Sequence, residues 1–289
     1  MLTLTKIEKV TLFADKPNVT LTSYIAGTSA EMPFNDKRKA ILVIPGGGYG
    51  FCSDREGEPV AHYYMAHGFN AFVLRYSVHT KETEATWPAP LIDASAAMKY
   101  IRDHAEEFHI DPNYVFVVGF SAGGHLAMLY ASRYTEQSAI PIKFQISWVG
   151  PSNFNLLFAT PDIKRPIEGP HAEQVNKFVK EMSNFMYALS GEEISLEELT
   201  KDRVIAIKSR VSPVDVAHTT TPPAVLAYGG KDRLVNAEHG TQMANKLKEL
   251  GIDQHLIIFP ESGHELGRDP ECTDSLQRVI LDYCEKYFD

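Results

Sequence analysis

Six short apolar-rich runs, at positions 40–44, 71–74, 115–118, 144–149, 224–227 and 255–259, are spread along the chain. They are rich in β-branched and aromatic residues and do not alternate with polar ones, which is the pattern of strands buried on both faces. Between them apolar residues recur at helical spacing. Leu91, Ala94, Met98, Ile101, Ala105 and Phe108 form one such series. Met243, Leu247 and Leu250 form another, ahead of Gly251 as a C′ residue. A last helix has Asp269 as N-cap, Pro270 at N1, and Leu276, Val279, Ile280 and Tyr283 on one face. Strands alternating with helices predict an α/β fold: a mostly parallel sheet of about eight strands flanked by helices. The alternating segments 2–13 and 19–25 read as an antiparallel entry to that sheet.

A chain of 289 residues buries about three quarters of its unfolded surface, so its core needs no disulfide or metal staple. We read it as one domain, residues 1–289. The formal charge of −9 disfavours nucleic acid or an anionic membrane as partner. Three cysteines, Cys52, Cys272 and Cys284, without paired spacing exclude a disulfide framework or a zinc ribbon. No HExxH or clustered Cys/His spacing suggests a metal. The first sixteen residues lack the apolar core of a signal peptide, and no run reaches the length of a membrane span. A cytoplasmic location is the expectation.

From 152 to 210 the rhythm breaks. The stretch has no strong strand signal and carries Phe154, Leu157, Phe158, Phe178, Met182, Phe185, Met186 and Tyr187. It reads as a helical cap inserted over the active site, with Ser195 and Glu198 as one capping box.

Chemistry is concentrated at Gly119–Phe120–Ser121–Ala122–Gly123, between the 115–118 run and a helix-compatible stretch. A serine on a sharp strand-to-helix turn needs small flanking residues, and Gly119, Gly123 and Gly124 supply them. The hydroxyl then projects at a helix N-terminus, where the dipole favours developing negative charge. Serine is a weak nucleophile until a base takes its proton and an acid orients the base. Partners of such a serine follow in the order acid, then histidine, on loops after later strands. Asp232 in Gly-Gly-Lys-Asp and His264 in Pro-Glu-Ser-Gly-His occupy those places. Asp215 is the rival acid, but it precedes its strand and reads as a loop anchor. His125, one turn into the elbow helix, reads as packing beneath the site.

Pro45–Gly46–Gly47–Gly48–Tyr49 follows the first buried strand directly. Glycines let backbone amides face a ligand unobstructed. The amides of Gly47, Gly48 and Ala122 can together form an oxyanion hole. Ser53 to Glu56 read as a capping box for the next helix. Tyr49, Trp148 and Phe154 are candidate pocket residues, as are Trp87 and Phe158.

On these motifs, together with WPAPLIDASAAMKYIR, AYGGKDRLV and FPESGHELG, the chain resembles the α/β-hydrolases of the esterase/lipase superfamily. The resemblance is to the acetyl-xylan-esterase-like and hormone-sensitive-lipase-like carboxylesterases, often called sugar hydrolases. Pro45 stands where the hormone-sensitive-lipase motif has histidine, which points to the acetyl-esterase-like branch. The resemblance implies Ser121 as nucleophile, His264 as base, Asp232 as orienting acid, and Gly47, Gly48 and Ala122 as oxyanion donors. It implies hydrolysis of small acyl esters, acetyl first, of sugar-like alcohols, with no cofactor. The expected partner is a small-molecule ester, and a homodimer is left open. An amide-cleaving relative, formamidase or small peptidase, and a catalytically silent binding protein are the alternatives.

Overall fold

The computed structural model describes residues 4–29, 31, 37–80, 83, 85–134, 136–157, 187–188, 191–192, 200–266 and 268–288. Its strands are β1 (Lys6–Phe13), β2 (Lys16–Ile25), β3 (Arg38–Ile44), β4 (Phe69–Arg75), β5 (Ile110–Phe120), β6 (Ile142–Trp148), β7 (Ala224–Gly229) and β8 (Gln254–Phe259). They form one eight-stranded sheet in the order β1-β2-β4-β3-β5-β6-β7-β8. β1 with β2 and β2 with β4 are antiparallel, and all the other pairs are parallel. The expected antiparallel entry is present, and the parallel strands are largely buried with the exception of β8, where only Phe259 is buried because the strand lies at the sheet edge. β1 closes one side of the sheet, and Lys6, Glu8 and Lys9 on it are exposed, a charged edge that discourages pairing with another chain.

Helices α1 (Glu58–Ala66), α2 (Ala89–Asp103) and α3 (Ala122–Tyr134) follow the early strands. The later ones are α4 (Phe154–Leu157), α5 (Lys201–Arg210), α6 (Pro213–Val216), α7 (Glu238–Glu249) and α8 (Pro270–Phe288). Side chains of successive strand residues point to opposite faces. Leu42, Ile44 and Val117 accordingly meet Met98 and Ile101 of α2 and Leu126 and Tyr130 of α3. Ile41, Val43, Phe116 and Val118 meet Tyr64 of α1 and Ile280, Tyr283 and Phe288 of α8. Residues 40–44 are wholly excluded from solvent, as their lack of alternation predicts.

Three local expectations are corrected. α2 ends at Asp103, so Ala105 and Phe108 pack from turns; the Ile110 amide closes onto the Ala105 carbonyl. Asp269 precedes α8 as expected, but its carboxylate accepts from the Glu261 amide and the Ser262 hydroxyl instead of capping the helix. Ser53 makes no side-chain cap bond to the short 3-10 turn Asp54–Glu56, because Glu56 is turned to a different amide, described below. Of the expected cap at 152–210, the described parts are α4, α5 and a few flanking residues. α5 is capped by Thr200, whose hydroxyl accepts the Arg203 amide. The Ser195–Glu198 box and the aromatic residues Phe158, Phe178 and Phe185 lie outside the described residues. Among the described residues no helix is long and apolar enough to cross a membrane.

The strand order fixes where a site can form. β4 lies on one side of β3 and β5 on the other, so the chain direction reverses there and the loops leaving β3 and β5 diverge. Ligands of open parallel sheets bind at such a reversal, beyond the carboxyl ends of the strands.

Phe116 anchors the α8 side of the core. Its ring is stacked on Phe144 at 4.7 Å between centroids and meets Phe69 edge-on at 5.2 Å. Phe116→Ala should cost about 3–5 kcal/mol of unfolding free energy, measured by urea denaturation, whereas Phe116→Leu should cost well under that.

Candidate active site

Ser121 sits at φ +49°, a left-handed conformation that costs a non-glycine residue strain and is kept where the surroundings enforce it. The surroundings here are backbone. A Cβ on Gly119 would overlap the Gly123 carbonyl, and a Cβ on Gly123 would overlap the Ile44 carbonyl. The Ser121 amide donates to the Trp148 carbonyl at 2.8 Å, and its carbonyl accepts from the His125 amide at 2.9 Å. β5 is thereby turned sharply into α3. Ala122, the first residue of that helix, has no helical acceptor for its amide.

Loops after β7 and β8 bring the acid and the imidazole to this turn. His264 Nδ1 lies 2.7 Å from Asp232 Oδ2, and His264 Nε2 lies 2.9 Å from Ser121 Oγ. A carboxylate only accepts, so Nδ1 carries the proton, and Nε2 is left as acceptor for the serine hydroxyl. Burial of Asp232 works to raise its pKa. The His264 ring and the amides of Val235 and Leu234 outweigh that and hold the carboxyl below its usual value. Those two amides bind Oδ1 at 2.9 and 2.8 Å, so the carboxylate orientation is set by its own loop. The two loops touch: a Cβ on Gly229 would overlap the Gly263 carbonyl. Asp215, the rival acid, lies in α6, and the imidazole is bound by Asp232 instead.

The triglycine loop completes the arrangement. β3 and β5 are in register with Ile44 opposite Gly119, which sets the loop after β3 beside the serine. A Cβ on Gly46 would come within 3.1 Å of Ser121 Cβ. Gly47 and Gly48 have φ +130° and +61°, values that glycine adopts without strain. Their carbonyl and amide partners divide cleanly. The Gly46 and Gly47 carbonyls accept from Ser53 and Gly50 within the loop, while the Gly47 and Gly48 amides have no acceptor among the described residues.

Tyr49 hydroxyl and His125 Nδ1 are 2.6 Å apart, and His125 Nε2 is 2.6 Å from the Val211 carbonyl. The carbonyl can only accept, so Nε2 carries the proton and the Tyr49 hydroxyl donates to Nδ1. His125 thus packs beneath the site, as its helical position implies. Beside this pair opens a cavity of about 230 Å³, walled by Gly48, Tyr49, His79, Trp87, Pro90 and Ala188 among others. Of the five candidate pocket residues, Tyr49 and Trp87 line it, and Phe158 lies outside the described residues. Trp148 points to the opposite face of β6, where its ring packs on Phe120 at 5.5 Å. Phe154 is buried edge-on against His125 at 4.7 Å.

A family model, BD-FAE, matches residues 31–247. The chain belongs to the BD-FAE family. This BD-FAE chain is 29% identical over 230 residues to endo-1,4-beta-xylanase B of Butyrivibrio fibrisolvens, covering 80% of the chain and 33% of that protein. It is 27% identical over 239 residues to an acetylxylan esterase of Xylanibacter ruminicola, covering 82% and 42%. The chain thus spans less than half the length of either relative. In structure it is similar to MGS-M1, an α/β-hydrolase enzyme from a Medee basin deep-sea metagenome library. The TM-score is 0.66 at 27% identity, over 96% of this chain and 97% of that one. The fold is that of the α/β-hydrolases.

Four residues around this site escaped the sequence reading in these roles. Glu56 Oε2 accepts the Gly46 amide at 2.8 Å, pinning the triglycine loop; its spacing from Ser53 imitates a capping box and hides this. Asp269 and the buried Ser262, 2.6 Å apart, brace the loop that carries His264. His239 is 1% exposed, and its Nδ1 accepts the amides of Ser152 and Asn153 at 3.2 and 3.3 Å. No local sequence signal marks it.

Burial holds both His125 and His239 down to about 4, against an ordinary value near 6.5. An unfolded chain binds these protons first as pH falls. The stability they confer in the neutral form is complete above about 6.5 and is lost progressively down to about 4, by about 3 kcal/mol per histidine. The contribution of the Asp232 pairing is lost at lower pH, from the ordinary carboxylate value down through its depressed one. The melting temperature should therefore fall between pH 6.5 and 4, and more shallowly in a His239→Gln variant, as followed by circular dichroism.

Proposed function

We propose that the chain is a serine carboxylesterase that removes small acyl groups, acetyl first, from sugar-like alcohols. The observation that carries this reading is the continuous hydrogen-bonded line Asp232–His264–Ser121, ending beside amides of Gly47, Gly48 and Ala122 that have no acceptor among the described residues. Ser121 Oγ attacks the ester carbonyl as its proton passes to His264 Nε2. The tetrahedral oxyanion is received by the three amides, where preorganised donors are worth about a hundred- to thousand-fold each in rate. Asp232 stabilises the imidazolium and keeps the ring in the productive tautomer. The C–O bond to the alcohol then breaks, His264 gives the proton to the leaving oxygen, and an acyl-serine remains. Water, deprotonated by the same imidazole, releases the acid and restores the hydroxyl.

Support for acetyl and for sugar is separate from support for the chemistry. It comes from Pro45 ahead of the glycines, from the small cavity beside the loop, and from the acetylxylan esterase among the relatives.

Ser121→Ala should lower turnover of p-nitrophenyl acetate by about 10⁴-fold or more with an unchanged melting temperature, and should abolish labelling by a fluorophosphonate. Retained turnover would remove Ser121 from the mechanism. Glu56→Ala should lower kcat about tenfold or more with little change in KM, whereas Glu56→Gln, which keeps an acceptor for the Gly46 amide, should stay near the wild type. Equal losses in the two variants would show that the carboxylate acts otherwise.

A further inference from the structure

The triglycine loop is held mainly from one side. The Pro45 carbonyl accepts from the Tyr76 hydroxyl at 2.9 Å, and the Gly46 amide donates to Glu56. The Gly46 carbonyl accepts from the Ser53 amide, the Gly47 carbonyl from Gly50, and the Tyr49 carbonyl from His79. All of these partners lie between residues 50 and 79, and none belongs to α3, the helix into which Ser121 leads. A different bond crosses to that helix. The Tyr49 hydroxyl donates to His125 Nδ1 at 2.6 Å, and the His125 amide donates to the Ser121 carbonyl at 2.9 Å. One residue thus grips both the loop and the serine turn.

Tyr49 sits at φ +62°, a left-handed conformation that a tyrosine keeps only where its surroundings enforce it. His125 is placed to enforce it, because its ring cannot yield. The ring is fully buried, its Nε2–H is spent on the Val211 carbonyl at 2.6 Å, and Phe154 meets it edge-on at 4.7 Å. Phe154 lies near the start of the 152–210 stretch and Val211 directly after its end, so both ends of that stretch hold the imidazole. Gly47 and Gly48 need such an anchor. Without side chains, two successive glycines can turn their amides through a wide range. Glu56 restrains the residue before them, and Tyr49 is the residue after them.

We propose that Tyr49 is a positioning residue for the esterase reaction: its hydroxyl, acting through His125, sets the Gly47 and Gly48 amides against Ser121. The proposal rests on the esterase reading and deepens it, by naming what holds the oxyanion donors in place. The role belongs to the hydroxyl. The ring walls the 230 Å³ cavity and is left there by Tyr49→Phe.

Tyr49→Phe should lower kcat for p-nitrophenyl acetate about tenfold or more with KM within about twofold, since the amides serve the oxyanion and not the ground-state ester. A fluorophosphonate should still label every Ser121, more slowly by a similar factor, whereas a partly unfolded variant would label fewer. His125→Asn, whose amide oxygen can stand where Nδ1 does, should recover most of the rate lost in His125→Leu, which offers no acceptor. Tyr49→Phe combined with His125→Leu should lose no more than either alone, as two groups in one interaction do. A Tyr49→Phe kcat within about twofold of the wild type, a loss carried in KM, or full additivity in the double variant would overturn the proposal. Where His125→Leu does not fold, the His125→Asn background takes its place: Tyr49→Phe should cost as much there as in the wild type, and no cost there would equally overturn it. Absent turnover of p-nitrophenyl acetate in the wild type would instead overturn the esterase reading.

Discussion

The backbone of α3's first turn lies directly against the end of β3, with Gly123 where any side chain would overlap the Ile44 carbonyl. This contact is the constraint on which the site depends. It places the serine turn and the triglycine loop at neighbouring strand ends, so the Ser121 hydroxyl and the amides of Gly47 and Gly48, which have no acceptor among the described residues, are fixed relative to each other by sheet register. A second backbone crossing, Gly229 under the Gly263 carbonyl, does the same for the acid and the base. Two glycine contacts thus replace what flexible side chains would leave adjustable, and catalytic geometry is sensitive to errors of about 1 Å.

Around this frame the polar groups are arranged so that each has a single role. Val211 and Tyr49 leave His125 one tautomer; the amides of Leu234 and Val235 leave Asp232 one orientation. Glu56 takes the amide of Gly46, while those of the next two glycines have no acceptor among the described residues. Groups buried this way act without reorganising as charge develops, which is the condition under which fixed dipoles are most effective.

The sequence shows the frame more clearly than its braces. Ser121, Asp232 and His264 stand in loops whose positions follow from buried strands, and glycines betray the close backbone approaches, so these were legible. The mostly parallel sheet and its antiparallel entry follow from the same runs, whereas the order of the strands does not. Trp148 was misplaced because an aromatic near the site is only half the information; strand periodicity sends residue 147 and residue 148 to opposite faces, and the tryptophan faces the α8 side. Glu56 and Asp269 have the spacing of helix caps, yet their carboxylates reach across the fold to loops that local spacing cannot foresee. His239 owes its environment to residues almost ninety positions earlier.

One part of the wall of the small cavity comes from Ala85, Thr86, Trp87, Pro90 and Ala188, joined where the Trp87 amide meets the Ala188 carbonyl. None of these belongs to a sheet strand, whereas the groups that flank Ser121 are rooted in β3, β5, β7 and β8. On the proposed esterase reading, this part of the wall and the reactive centre belong to separable stretches of polypeptide, so a lineage built on this plan can vary the one while the other stays intact.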